Sequence, residues 1–165
     1  METVLVAYAT KHGSTREVAA DVARFVRQAG FEVEISPARE VKSLDPYQAV
    51  VLGGALYMGR LHKDARKLLK RKRGELASRP LAVFAIGPKN TEPQELEGAR
   101  AQLERALAAV PELQPLATAI FGGVVDPAKL SFPFSKMPAG DARDWEAIQA
   151  WAEEVARKLR TALDR

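Results

Sequence analysis

The feature that most constrains this chain is an alternation, from end to end, of short apolar runs and longer amphipathic stretches. Thr3–Ala9 (TVLVAYA) is compact and β-branched and reads as a strand. Residues 16–29 place Val18, Val22, Phe25, Val26 and Ala29 at helical spacing, and Gly30 stops that helix. Phe31, Val33 and Ile35 alternate with Glu32 and Glu34, the pattern of an edge strand with one wet face. Residues 49–55 (AVVLGGA) and Leu81–Ile86 read as buried strands, and Ala117–Phe121 as a further one. Between them, Leu61, Ala65, Leu68 and Leu69 line one helix face. Leu96, Ala99, Leu103, Ala106, Leu107 and Val110 line a second. A last helix carries Trp145, Ile148, Ala152, Val155, Leu159 and Leu163. A short connection, 37–48, stands where one helix is skipped.

Strand and helix in turn imply a parallel sheet with helices on both faces. The 165 residues suffice for one core, and neither a repeat nor a linker divides them, so one domain spanning 1–165 is expected. Hydrophobic residues at 47% with 28% charged suit a folded, water-soluble chain. No apolar run reaches the roughly 18 residues a membrane span needs. The first residues resemble no export signal, which favours a cytoplasmic location.

With no cysteine, disulfides, thiolate-held clusters and cysteine nucleophiles are excluded. His12 and His62 have no spacing that suggests a metal, so no metal site is expected. Between Arg60 and Arg73 lie eight Lys or Arg against one Asp, a local net charge of +7 that leaves −3 for the rest. Basicity confined to one patch argues against nucleic acid as the partner. Lys63, Arg66, Lys67, Lys70, Arg71, Lys72 and Arg73 are either a solvated helix face or a docking surface for an acidic protein or anionic membrane.

Ligands of open α/β sheets bind outside the carboxyl ends of the strands, where strand order reverses. Three loops qualify. In the first, Thr10, Lys11, His12, Gly13, Ser14 and Thr15 join a strand to a helix. Hydroxyls, a glycine turn and helix-terminal N–H groups together suit a phosphate. Equally, Ser14 and Glu17 have the spacing of a simple capping box. In the second, Ala55, Leu56, Tyr57, Met58 and Gly59 offer a flat ring, an apolar edge and a flexible backbone. Tyr57 serves there either as a stacking ring or as a plain rim aromatic. In the third, Gly87, Pro88, Lys89 and Asn90 contain no aromatic. The stretch 124–140 is long and irregular, yet it holds Leu130, Phe132, Phe134 and Met137.

Thr10, His12, Gly13 and Thr15 fall in the frame of the flavodoxin phosphate loop, with His12 in place of a Thr. The following Arg16 and Glu17 resemble the branch that includes menaquinone-dependent protoporphyrinogen oxidase. Asp45-Pro46-Tyr47, the 50–55 strand, Tyr57 with Gly59, and Gly140-Asp141 with Arg143-Asp144-Trp145 extend the resemblance along the chain. It implies a flavodoxin-like, doubly wound five-stranded parallel sheet of strand order 2-1-3-4-5 in three layers. It also implies FMN held by the three loops, with a backbone carbonyl of the 57–59 stretch meeting the flavin N5. The chemistry would be that of an oxidoreductase, working on a redox partner or a quinone- or porphyrin-type molecule. A plain electron-transfer flavodoxin is the alternative. The third loop departs from the family in lacking a second stacking aromatic, which leaves one flavin face open. No acid–base side chain is singled out as catalytic. Gly53-Gly54-Ala55 lacks the strand-end Asp of a receiver domain, and a low-molecular-weight phosphatase would need a cysteine.

Overall fold

The computed structural model describes residues 2–10, 13–88, 92–125 and 140–164. Strands β1 (Thr3–Ala9), β2 (Glu32–Pro37), β3 (Ala49–Tyr57), β5 (Leu81–Ile86) and β6 (Ala117–Phe121) form one parallel sheet in the order β2-β1-β3-β5-β6. Counting the five parallel strands alone, this is the expected order. β4 (Arg60–Leu61) is a short antiparallel addition to the end of β3. The chain steps outward from β1 to β2 and then crosses to β3 on the other side. The switch point therefore lies between β1 and β3.

Side chains alternate across the sheet, as strand geometry requires. Val4, Val6, Val51, Phe84 and Ile86 face α1 (Ser14–Gln28) and α5 (Trp145–Leu163). Leu5, Ala7, Val50, Leu52, Val83 and Ala85 face the opposite layer, with Leu68, Leu69, Leu76 and Leu103 packed on them. That layer comprises α2 (Lys63–Arg71), α3 (Arg73–Ala77) and α4 (Pro93–Ala108). The glycine pair in β3 serves packing. A Cβ at Gly53 would fall 2.1 Å from the ring of Phe84. That fully buried ring meets Trp151 edge-on at 5.6 Å and lies 6.0 Å from Phe121.

Three sequence expectations change. Leu61 belongs to β4, not to the helix it matched in spacing, and α2 begins at Lys63 with His62 as its cap. No capping box forms at α1, where Gly13 is the N-cap and Ser14 the first helical residue. The ends of the 124–140 stretch are ordered as β7 (Val124–Val125) and β8 (Gly140–Asp141), paired antiparallel. Leu130, Phe132, Phe134 and Met137 lie outside the described residues.

Candidate functional site

The registers bring the three loops to one level. Ala9 pairs with Gly54, Gly54 with Ala85, and Ile86 with both Ala55 and Phe121. The chain therefore leaves β1 and β5 at the same edge, while β3 runs two residues further.

In the first loop, the Gly13 N–H donates to Thr10 Oγ1 at 2.9 Å. Gly13 has φ +92°, and a Cβ there would meet nothing within 4 Å. Glycine is thus required by the backbone and not by crowding. Thr15 is fully buried in the first turn of α1, and its hydroxyl has no partner among the described residues. A buried hydroxyl of that kind costs about 1–3 kcal/mol unless something satisfies it. Lys11 and His12 lie outside the described residues.

The second loop is a two-residue hairpin turn between β3 and β4. Leu56 pairs with Leu61 and Tyr57 with Arg60. Met58 at φ 53° and Gly59 at φ 76° both lie in the left-handed region, as the mirror-image turns of hairpins demand. Met58 is the non-glycine residue there, and it is 67% exposed. Tyr57 is half-buried, and the Ala55 carbonyl accepts the His62 N–H at 2.8 Å.

The third loop is held by backbone. The Gly87 N–H donates to Phe121 O at 3.2 Å, and the Gly123 N–H to Pro88 O at 2.9 Å. The Gly123 carbonyl then accepts the Ala142 N–H at 2.9 Å. A Cβ at Gly87 would lie 2.6 Å from that of Leu56. Lys89 and Asn90 lie outside the described residues.

A cleft of about 300 Å³ opens between the second and third loops. Leu56, Gly59, Gly87 and Pro88 line it, so four expected site residues meet there. Thr10, Gly13, Ser14, Thr15, Ala55, Tyr57 and Met58 are not in its lining. Its far wall is α4, through Gln94, Glu95, Gly98, Ala99 and Gln102. Sequence reasoning missed this wall, although a glycine in mid-helix was a visible signal.

A second element, which the sequence offered only as part of the family resemblance, clasps the start of α1. Arg143 pairs through Nη1 with Glu17, in the first turn of α1. Its Nε and Nη2 fork onto Asp141 at 3.0 and 2.8 Å, and its guanidinium lies 4.9 Å from the Trp145 ring. Those bonds hold Asp141 below the usual carboxylate range and raise Arg143 further. At the far corner, His62 Nδ1 accepts the Asp64 N–H at 3.0 Å, which requires a neutral ring. Burial lowers its pKa, against the opposing pull of the Asp64 carboxylate 3.8 Å away. The His62–Asp64 contact is therefore not an ion pair near neutrality.

On the expected docking helix, Arg66 donates to Leu61 O, Arg71 to Val41 O, and Lys72 pairs with Glu75. Those cations brace the fold, while Lys63, Lys67 and Lys70 form an exposed stripe at i, i+4, i+7. Among the described residues no His, Asp or Glu cluster could hold a metal. None of the described helices is long and apolar enough to cross a membrane.

The left-handed glycine, the helix start behind it and the unsatisfied Thr15 hydroxyl fit a phosphate. The hairpin and cleft fit the edge of a flat ring, so the residues present suit a flavin mononucleotide. A family model described as a flavodoxin domain matches residues 5–137. The chain is 22% identical over 174 aligned positions to protoporphyrinogen IX dehydrogenase [quinone] of Escherichia coli K12, covering 92% of this chain and 93% of that one. Oxidised flavodoxin 1 of Bacillus cereus superposes with a TM-score of 0.63 at 15% identity, over 94% of this chain and 97% of that one. The rubredoxin oxygen:oxidoreductase of Desulfovibrio gigas gives 0.68 at 15%, over all of this chain and 38% of that one. With most of its length matched by the family model and its sheet in the flavodoxin order, the chain belongs to the flavodoxin family.

Proposed function

We propose that this chain binds FMN along the Thr10–Gly59–Gly87 edge and acts as an oxidoreductase on a small planar organic molecule of the quinone or porphyrin type. One observation carries the enzymatic reading. The cleft beside Gly87 and Pro88 is open, in a loop without an aromatic to close over a ring. The 22% relative, named for a quinone-linked dehydrogenation, supports the same direction.

Bound flavin supplies the electron-transfer chemistry. The Thr10 and Ser14 hydroxyls, the Thr15 hydroxyl and the backbone N–H groups at the start of α1 hold the phosphate. The Tyr57–Gly59 turn covers one side of the ring and presents its carbonyls to the ring edge. Gly87 and Pro88 keep the other side shallow. A second reading, electron carriage without a substrate of its own, draws on the exposed side chains of Met58 and Trp145, 67% and 41% exposed. Such apolar tips suit contact with a protein partner, and the Lys63, Lys67 and Lys70 stripe suits an acidic one.

The test has two stages. Cofactor released by heat should be FMN; stoichiometric FAD would refute the binding reading. Changing Ser14→Ala with Thr15→Ala should then weaken FMN by about 1–3 kcal/mol while leaving riboflavin nearly unchanged. Equal weakening would remove the hydroxyls from the phosphate site. In the second stage, reduced protein is mixed with a soluble quinone. Fast, saturable reoxidation supports the enzyme, and slow, unsaturable reoxidation favours the carrier.

A further inference from the structure

We propose that the exposed face of α2, continued by the hairpin before it, is the docking surface for an acidic protein that exchanges single electrons with the flavin site. The surface is argued from its own residues, and the use given to it rests on the flavin-binding reading above.

A contrast between helices is the first observation. On α1, Arg24 pairs with Asp21 at 2.8 Å, and on α5, Lys158 pairs with Glu154 at 3.2 Å. Along α4, Glu95, Glu97, Arg100, Glu104 and Arg105 mix the two signs. Mixed signs are what a merely solvated helix face carries. The α2 face departs from that pattern. Lys63, Lys67 and Lys70 are exposed, and none has an ion-pair partner among the described residues. Like charges at i, i+4 and i, i+3 weaken a helix, and Lys63 also stands in the first turn, at the positive end of the dipole. Asp64, the one acid of residues 60–73, lies against His62 with its side chain 17% exposed. The fold therefore gains nothing from the three lysines.

Their placement is the second observation. Gly59 lines the cleft, and the chain runs from it through the exposed Arg60 directly into α2. Met58, 67% exposed at φ 53°, sets an apolar side chain beside that start. On the other flank, the Arg39 charge is felt at His62, and Arg71 donates to Val41 O. Arg39 and Lys42 are exposed there, with Glu40 as the acid between them. Residues 60–73 carry +7 and the rest of the chain −3, so the molecule turns this face toward an anionic partner as it approaches.

The occupant follows from what the face lacks. A second copy would set the same cations against each other across a two-fold axis. Stable hold on a membrane needs an apolar anchor beside the charge, and Ala65, Leu68 and Leu69 of α2 are buried in the core. A folded protein with a row of carboxylates matches a rigid stripe about 10 Å long, and it can bring a redox centre beside the hairpin. Each encounter then passes one electron from the partner's reduced centre to the oxidised flavin. Two such transfers, with two protons from solvent, complete the flavin's reduction.

The probe is a reduced plant-type [2Fe–2S] ferredoxin of strongly negative charge. Its binding to the FMN-loaded protein and to the apoprotein is measured by thermophoresis, and flavin reduction by stopped flow. Two triple variants are compared with wild type. One is Lys63→Gln with Lys67→Gln and Lys70→Gln. The other removes the same charge from the opposite layer, as Arg24→Gln with Arg157→Gln and Lys158→Gln. The wild-type rate should fall by about tenfold or more between about 20 and about 300 mM salt. At low salt the α2 triple should lose about tenfold in both affinity and rate, and the opposite triple no more than about twofold. FMN affinity and the urea midpoint of the α2 triple should not fall. Equal losses in the two triples, a rate indifferent to salt, or a lower urea midpoint in the α2 triple overturns the proposal. So does binding of phosphatidylglycerol vesicles or of a DNA duplex as tight as that of ferredoxin. Uptake of FMN with no ferredoxin binding overturns the docking surface and leaves the cofactor reading standing. Ferredoxin binding to a chain that takes up no FMN does the reverse.

Discussion

At the α1 end of the sheet's carboxyl edge, charged side chains do the holding. Arg143 reaches Glu17 across 126 residues of sequence and also forks onto Asp141, so that α1, β8 and the approach to α5 are tied by one guanidinium. At the β3–β5 end the backbone does it. Backbone hydrogen bonds tie Pro88 to Gly123 and Gly123 to Ala142, and at Gly122 a Cβ would strike the Ala142 backbone. The difference teaches where each end is vulnerable. The charged end should respond to charge removal and to salt, and the backbone end to a single added methyl.

The sharpest way to break the comparison is Gly122→Ala. The added Cβ would stand 2.2 Å from the Ala142 carbonyl oxygen, a backbone atom with no rotamer to yield. We expect a stability loss of about 2–3 kcal/mol, toward the upper part of the overpacking range. Urea unfolding should show a lower midpoint with an unchanged slope. The same change at Gly98, which crowds nothing, should be neutral or stabilising by up to about 1 kcal/mol. Equal losses at both positions would mean that helix propensity and crowding have been misassigned.

Next in size is Arg143→Gln. It leaves Glu17 uncompensated in the first turn of α1, beside the proposed phosphate seat. FMN affinity should fall by about 1–2 kcal/mol, the scale of a lost charge-assisted contact, with riboflavin affinity held. Adding Glu17→Gln should restore most of it. The stability cost should stay near 1 kcal/mol, because both carboxylates are about half exposed or more and solvent screens them. Loss of riboflavin as well would show that Arg143 supports the fold of the edge and not the charge balance at the phosphate.

How legible these two ends were differs for the same reason. Strand order, the three loops and most core positions follow from local signals: period-two and helical spacing, and the rule that sites lie past strand ends. The α1 clasp does not, because Glu17 looks like the partner of Ser14 four positions into a box. Only the fold brings in Arg143, which then takes that carboxylate. Leu61 was misassigned because its spacing to Ala65 and Leu68 suits a helix face. The Met58–Gly59 turn places it on a strand that covers the same core. The α4 wall was invisible because glutamines and a glutamate on a helix have the composition of a solvated face. Only the position of Gly98 betrayed it.

A smaller change sharpens the backbone end. Met58 holds a left-handed conformation that disfavours any residue with a Cβ by about 1–2 kcal/mol. Met58→Gly removes that strain and adds unfolded-state entropy, so the net gain should be about 0.5–1 kcal/mol. Met58→Val should cost a similar amount, since β-branching is worst there. Differential scanning calorimetry of the apoprotein would resolve both. No gain from glycine would mean that other contacts already compensate the turn.

The smallest effect concerns the point where the hairpin hands the chain to α2. His62 caps that helix through Nδ1, accepting the Asp64 N–H, and can do so only while the ring is neutral. Burial lowers its pKa below the ordinary 6.5, Lys63, Arg66 and Arg39 add to the lowering, and Asp64 opposes it. The unfolded chain therefore binds this proton more readily than the folded one. The cap's contribution is complete above pH 6.5 and is lost as pH falls from there through the lowered folded value. Asn at this position caps without titrating. His62→Asn should match wild type at pH 8 and decline less between pH 6.5 and about 5, the window that precedes carboxylate protonation. The Asp141 contribution falls away only at lower pH, since Arg143 holds that carboxyl below the value of 3.8. Denaturant midpoints taken across the range would separate the two windows. Parallel curves for His62→Asn and wild type above pH 5 would show that the imidazole proton is not what sets the stability of this corner.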